Sequence, residues 1–206
     1  MRGKLFVLSG PSGTGKSTVI SRVMEQFPNL QFSVSATSRE IRPGETDGVN
    51  YYFVSRPCFE EMLGNNELLE HTEYCGNYYG TPVTPIRQAL ENGINILLDI
   101  EPDGALQVRS HMEDAVLLFL APPSMTELEK RLRGRGDTSD ADIAKRLNKA
   151  KWEIEQAVKY DYIVFNDDVD HAAKEVTAVF TAETCKTKER KSILEEEEFY
   201  ALSTHC

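Results

Sequence analysis

The run Ser9-Gly10-Pro11-Ser12-Gly13-Thr14-Gly15-Lys16-Ser17-Thr18 follows the apolar stretch Leu5-Phe6-Val7-Leu8 and fits the pattern G-x-x-x-x-G-K-[ST]. Residues of these types at this spacing bind phosphate. Gly10, Gly13 and Gly15 let the backbone curl so that successive N–H groups point into one concavity at the start of a helix, where the dipole favours an anion. Pro11, Ser12 and Thr14 complete the loop, Lys16 adds a mobile positive charge, and the hydroxyl of Ser17, beside Thr18, is placed for Mg2+. A glycine-rich turn containing Lys-Ser by chance is the plainer alternative. The strand pattern before it and the helix pattern after it favour the phosphate loop.

Phosphate chemistry of this kind uses a second carboxylate, at the end of an apolar strand, to hold the metal through water. Asp99 in Ile96-Leu97-Leu98-Asp99-Ile100 fits that place, because a carboxylate in so apolar a run is costly to bury without a cation or donors. Glu101, two residues on, lies on the same side of the strand. Elsewhere, Ser35-Ala36-Thr37-Ser38-Arg39-Glu40-Ile41-Arg42-Pro43-Gly44-Glu45 carries two arginines three apart, followed by Tyr51, Glu70 and Gly76-Asn77-Tyr78-Tyr79-Gly80-Thr81. Paired guanidinium groups with phenolic hydroxyls suit a phosphate monoester, since the first donate bidentately and the second donate without adding charge.

Elements that could position these groups are visible in the hydropathy pattern. Buried-strand runs recur at Leu5–Leu8, Ile94–Ile100, Val116–Leu120 and Tyr162–Phe165, with helical patterns between them. That alternation predicts a parallel α/β sheet with ligands at the carboxyl ends of its strands. Between a first helix, roughly Lys16–Glu25, and the segment near Thr84–Asn92, the chain is rich in Ser, Thr, Arg, Gly and Tyr, with short alternating runs such as Tyr51-Tyr52-Phe53-Val54. The pattern reads as an inserted lobe of mainly β hairpins. A second insertion, Thr126–Lys151, contains two helical patterns meeting at Gly134–Asp140, where the glycines can end one helix and Ser139 with Asp142 can cap the next. Beyond Thr187 the tail is charged, with Glu195–Glu198 in a block, and reads as a solvated or frayed helix.

With 206 residues the chain suits one domain with insertions, and 33 acidic against 23 basic residues give a net charge of −10. That balance argues against general affinity for nucleic acid or an anionic membrane. Neither a cleavable leader nor a membrane-length apolar stretch is recognisable, so a soluble, cytoplasmic protein is expected. Cys58, Cys75, Cys185 and Cys206 form no C-x-x-C pair, and His71, His111, His171 and His205 are scattered, so reduced thiols and ordinary surface histidines are expected.

Together, S-x-x-x-R-x-x-R-x-G-E, G-N-Y-Y-G and L-R-G-R-G resemble guanylate kinase, the ATP:GMP phosphotransferase family, over a match that runs from the phosphate loop through Asp168. The resemblance implies an α/β fold: a P-loop NTPase core with a parallel sheet flanked by helices, a mixed α/β GMP-binding lobe and a helical lid. Approximate limits are 1–33, 84–125 and 152–190 for the core, 34–83 for the lobe and 126–151 for the lid, with a charged tail over 187–206. It implies transfer of the γ-phosphoryl of ATP to GMP, and to dGMP, with Mg2+ as cofactor and a role in purine nucleotide metabolism. Arg39, Arg42, Tyr51 and Tyr79 would hold the GMP phosphate with Glu45 in the same set, while Ser35, Glu70, Thr81 and Glu101 would face guanine. Guanine offers O6 as acceptor and N1–H and N2–H2 as donors, which hydroxyls and a carboxylate complement. At position 101 the family usually has Asp, followed by an apolar or aromatic residue and Gln rather than Pro102-Asp103.

Lys16, Arg42 and the lid arginines Arg135 and Arg146 are the expected catalytic cations, since phosphoryl transfer asks the protein for charge stabilisation more than covalent chemistry. The acceptor oxygen is already an anion, so no general base is needed. Arg131 and Arg133 read equally as lid cations or as a solvated helix face. Asn166-Asp167-Asp168 resembles the adenine-side segment of the family, with Asn166 in the ATP set, and also reads as an ordinary strand-to-helix turn with a cap. Two alternatives are a non-catalytic guanylate-kinase-like module that binds phosphopeptides and a kinase for another small acceptor. The complete phosphate loop argues against the first, and Ser35, Glu70 and Thr81 argue against the second. The reading leaves monomer and homo-oligomer equally open.

Overall fold

The structure is a computed structural model, and it describes residues 2–134 and 139–195. From the N-terminus run β1 (Leu5–Ser9), α1 (Lys16–Gln26), β2 (Leu30–Phe32), β3 (Ala36–Thr37), β4 (Tyr52–Phe53), α2 (Arg56–Gly64), β5 (Leu68–Tyr74) and β6 (Asn77–Pro82). These are followed by α3 (Val83–Glu91), β7 (Asn95–Asp99), α4 (Pro102–His111), β8 (Val116–Ala121), α5 (Met125–Arg133), α6 (Asp140–Glu155), β9 (Tyr162–Phe165), α7 (Val169–Thr184) and α8 (Thr187–Arg190).

One sheet, in the order β2-β7-β1-β8-β9, is parallel throughout. All five residues of β1 are buried because the strand is central and covered on both faces. Its alternation sorts them: Phe6 and Leu8 pack with α1 and α7 through Val19, Val23, Val176 and Phe180, while Leu5 and Val7 pack with α3 and α4 through Ile86, Leu90 and Val108. Phe6 stacks on Phe180 at 3.9 Å between ring centroids. The four expected strands are present. The fifth, β2, escaped the hydropathy pattern because it is a three-residue edge strand in which only Leu30 is buried.

A second sheet, β4-β3-β6-β5, lies in the inserted segment. It contains one tight hairpin, β5 to β6, turned by Cys75 and Gly76, which both have positive φ as a two-residue primed turn requires. The segment is otherwise less hairpin-rich than its composition suggests. β3 and β4 pair in parallel, and α2 lies between β4 and β5 in the chain. Ser55 Oγ caps α2 by accepting from the backbone N–H of Cys58 at 3.3 Å, Pro57 lies in the first turn, and Phe59 packs with Ala36 and Leu68.

In the second insertion α5 and α6 pack through Leu128, Leu132 and Ala150. Ser139 Oγ caps α6 by accepting from Asp142 N–H at 3.2 Å, as expected. At the opposite end of the sheet, buried Lys4 forms ion pairs with Glu189 at 2.9 Å and Glu183 at 3.7 Å, and Lys188 pairs with Asp114 at 2.6 Å. The start of the charged tail is therefore fastened to the core as α8. Most of the Glu195–Glu198 block lies outside the described residues. Cys58, Cys75 and Cys185 are free thiols on the surface.

Candidate active site

The phosphate loop joins β1 to α1 at the carboxyl edge of the parallel sheet. Gly10 is required by close approach, since a Cβ there would stand 2.2 Å from the carbonyl oxygen of Leu120 on β8. Gly15, at φ 90°, precedes α1 in the left-handed region, and a Cβ there would lie 2.6 Å from Asn166 Nδ2. Lys16 Nζ donates to the carbonyl of Gly10 at 2.6 Å, so its ammonium is folded back over the loop. Asp99 ends the neighbouring strand β7. Burial pushes its carboxyl above the ordinary carboxylate range, and the nearby Lys16 charge offsets part of that shift.

Asn166, just after β9, is 1% exposed and donates through Nδ2 to the carbonyl of Thr14 at 2.6 Å. Arg131 on α5 donates to the carbonyl of Asn166 at 3.0 Å and more weakly to that of Thr14 at 3.4 Å. Arg131 is thus inside the loop's support rather than on a solvated face, whereas Arg133 is half-exposed and paired with Glu129 and Asp140. Asp168 caps α7 by accepting from His171 N–H at 2.9 Å.

In the inserted lobe, the hairpin register pairs His71 with Gly80 and so brings Glu70 and Thr81 together. Both are buried, and Thr81 Oγ1 donates to Glu70 Oε1 at 2.6 Å. Burial raises the Glu70 carboxyl, and this hydrogen bond opposes the shift. The first turn of α4 closes the other side: a Cβ on Gly104 would stand 2.9 Å from Glu70 Oε2. Gln107, one turn on, is hydrogen-bonded to the backbone of His71 through both ends of its amide, at 3.1 and 3.2 Å. Ser35 precedes β3, and its carbonyl accepts from Tyr52 N–H at 2.9 Å.

Arg39 is held in a fork by Glu45, with Nη2 at 2.8 and 3.0 Å from the two carboxylate oxygens, and Glu45 also accepts from Arg42 N–H at 2.8 Å. The Arg39 bond, and after it the Arg42 bond, keep the Glu45 carboxyl below its ordinary range. The guanidinium of Arg39 lies 5.6 Å from the ring of Tyr51, which meets Tyr79 edge-on at 6.0 Å. Glu45 is therefore a positioning group for the arginine pair.

A cavity of about 370 Å3 is lined by residues 10–18 together with Asp99, Glu101, Arg146, Lys149 and Glu153. Glu101 precedes α4, half of it and more in solvent, and accepts from Lys149 Nζ of α6 at 2.8 Å. Glu153 is buried, with its nearest cation Lys149 at 3.8 Å. Burial raises its carboxyl, opposed chiefly by Lys149. Lys149 and Glu153 were not singled out from the sequence. Their signal was the spacing on α6, three and seven residues beyond Arg146 on one helical face. Arg135 lies outside the described residues.

The family model for guanylate kinase matches residues 2–183. The guanylate kinase of Halalkalibacterium halodurans is 51% identical over 185 residues, covering 90% of this chain and 91% of that protein. That of Thermus thermophilus is 50% identical over 183 residues, covering 89% and 83%. A crystal structure of guanylate kinase from Anaplasma phagocytophilum superposes with a TM-score of 0.73 at 34% identity, covering 98% of each chain. The chain belongs to the guanylate kinase family, phosphotransferases that act on GMP.

Proposed function

We propose that the enzyme transfers the γ-phosphoryl of ATP to GMP or dGMP across the cleft between the phosphate loop and the inserted lobe. The observation that carries this reading is the buried Glu70–Thr81 pair, an acceptor held by a hydroxyl where the N1–H and N2–H2 donors of guanine need partners. In AMP the ring offers acceptor N1 instead, and a buried carboxylate facing it has no donor. Ser35 and Glu101 complete the guanine contacts. Arg39, Arg42, Tyr51 and Tyr79, organised by Glu45, take the acceptor phosphate.

Residues 10–18 bind the donor phosphates, with Asn166 as the support of the loop from the adenine side. Lys16 follows the transferring group, and Arg146 adds positive charge from α6. Arg135 is assigned to the same task on the family motif alone. Phosphate loop, lobe and lid close to exclude water from the transfer. The division into core (1–33, 84–125 and 152–190), lobe (34–83) and lid (126–151) follows from that mechanism.

The donor set for a metal is the Ser17 hydroxyl and the Asp99 carboxylate, which suits Mg2+, an ion that keeps several waters and completes its shell with substrate phosphates. Asp99 is buried with only partial compensation from Lys16, so its environment favours an added cation. When bound, Mg2+ would neutralise phosphate charge. Among the described residues no helix is long and apolar enough to cross a membrane, and a cytoplasmic location fits the substrates. A coupled assay of ADP formation with GMP, dGMP, AMP, IMP and UMP tests the proposal: turnover confined to the guanine nucleotides is expected, and comparable turnover with AMP refutes it.

A further inference from the structure

Six charged residues line the phosphate-loop cavity: Lys16, Arg146 and Lys149 against Asp99, Glu101 and Glu153. Two phosphate-bearing substrates add further negative charge to this balance, and without Lys149 the carboxylates already outnumber the cations. Lys149 stands one turn beyond Arg146 on α6, so the two present their charges from one helix face. Its ammonium is bound to Glu101 at 2.8 Å and lies 3.8 Å from buried Glu153. The Glu101 pair is solvent-exposed on both sides, 53% for Lys149 and 66% for Glu101, and exposed pairs of this kind are weak and readily exchanged. Glu101 is also among the residues proposed above to contact guanine, and a carboxylate engaged there no longer holds Lys149.

We propose that Lys149 is a catalytic residue of the transfer: when the acceptor base engages Glu101, the Lys149 ammonium moves from Glu101 to the phosphoryl oxygens between the two nucleotides. It supplies charge and no proton. The acceptor phosphate oxygen forms the new P–O bond, and the bond from the γ-phosphorus to the β–γ bridging oxygen breaks, with the electron pair leaving on ADP. Buried Glu153 keeps the ammonium within the cavity during the exchange. The inference rests on the phosphate-loop cavity being the site of transfer.

The test compares Lys149→Ala, Lys149→Met and Lys149→Arg in steady-state kinetics with ATP and GMP, alongside Lys16→Ala, Glu101→Gln and the melting temperature of each. Lys149→Met keeps the apolar stem and removes only the charge. The expected result is a loss of about hundred- to thousandfold in kcat for the Ala and Met variants, a KM for GMP within about threefold of the parent, a folded protein by melting temperature and recovery in Lys149→Arg. An unchanged kcat in Lys149→Met overturns the proposal. So does a rise in the KM for GMP matching that of Glu101→Gln at parental kcat, which would make Lys149 only a holder of Glu101. Full turnover in Lys16→Ala overturns instead the underlying assignment of the cavity, so the two failures are distinguishable.

Discussion

Replacing Glu70 by glutamine keeps the shape of the side chain and removes one negative charge from a site that is 6% exposed. The amide can still accept from Thr81, whose Oγ1 stands 2.6 Å from Glu70 Oε1. Its nitrogen then takes the place of Oε2, the oxygen beside Gly104, and presents N–H groups to the N–H donors of guanine. A buried donor facing a donor costs about 2–4 kcal/mol, or about 30- to 900-fold in kcat/KM for GMP. The KM for ATP, which does not touch this pocket, should stay within about twofold. Stability moves the other way. Because burial raises the Glu70 carboxyl above its ordinary value of 4.5, the folded state is favoured by this group while it is protonated, and that contribution is lost as pH rises through the raised pKa. Glutamine does not titrate, so the melting temperature of the ligand-free variant relative to the parent should climb from about pH 4.5 upward. Initial rates at varied GMP and ATP, with ligand-free melts between pH 4 and 8, read both effects. Equal losses for the two nucleotides, or a melting difference independent of pH, would refute the reasoning.

Lys16→Ala should lower kcat by orders of magnitude with the melting temperature nearly unchanged, because the side chain contributes one hydrogen bond to the loop but the mobile charge to the transfer; parental turnover at saturating substrates would show that the loop is not catalytic. Arg39→Ala should raise the KM for GMP about tenfold or more at a similar KM for ATP, since a bidentate donor to the acceptor phosphate is lost. An effect on ATP alone would move Arg39 out of the acceptor site. Asn166→Ala removes the donor to the Thr14 carbonyl and should cost about 1–3 kcal/mol of stability, measured by urea unfolding, together with a weaker affinity for ATP. Stability within error of the parent would mean that Arg131 supports the loop unaided.

The parallel core was legible because a strand covered on both faces is a continuous apolar run, as in Leu5–Leu8 and Val116–Leu120, and so short and apolar a segment fits only a place shielded from water on every side. β2 was not, because an edge strand with one buried residue leaves no such run. In the lobe α2 was not legible: Ser55 and Pro57 carry the signals of a helix start, but they stand among short alternating runs, and what fixes the helix is Phe59 packing against Ala36 and Leu68. The loop residues and the two arginines with Glu45 were readable because their chemistry needs fixed residue types at fixed spacing. Arg131 and Lys149 were not separable from ordinary helix-surface cations. What distinguishes them is the partner across the fold, the Thr14 and Asn166 carbonyls for one and Glu101 for the other, separated by many residues in the chain.

The position of β1 at the centre of its sheet sets an order of events during synthesis. Its sheet neighbours are β7 and β8, whose pairing residues begin at Ile96 and Val116, so the strand leaves the ribosome long before either partner exists. The phosphate loop behind it has no wall until the carbonyl of Leu120 arrives against Gly10, and no roof until Asn166 reaches Thr14. The small cluster of Ala36, Phe59 and Leu68 in the lobe draws on nearby segments of the chain, whereas Leu69 and His71 of β5 wait for the main core and for Gln107 of α4. Lys4, which precedes β1, has its ion-pair partners Glu183 and Glu189 near the other end of the core and waits for both to emerge. A nascent chain therefore completes the phosphate loop's supports only after Asn166 has been made, which delays ligand capture until the loop, its wall and its roof are in place.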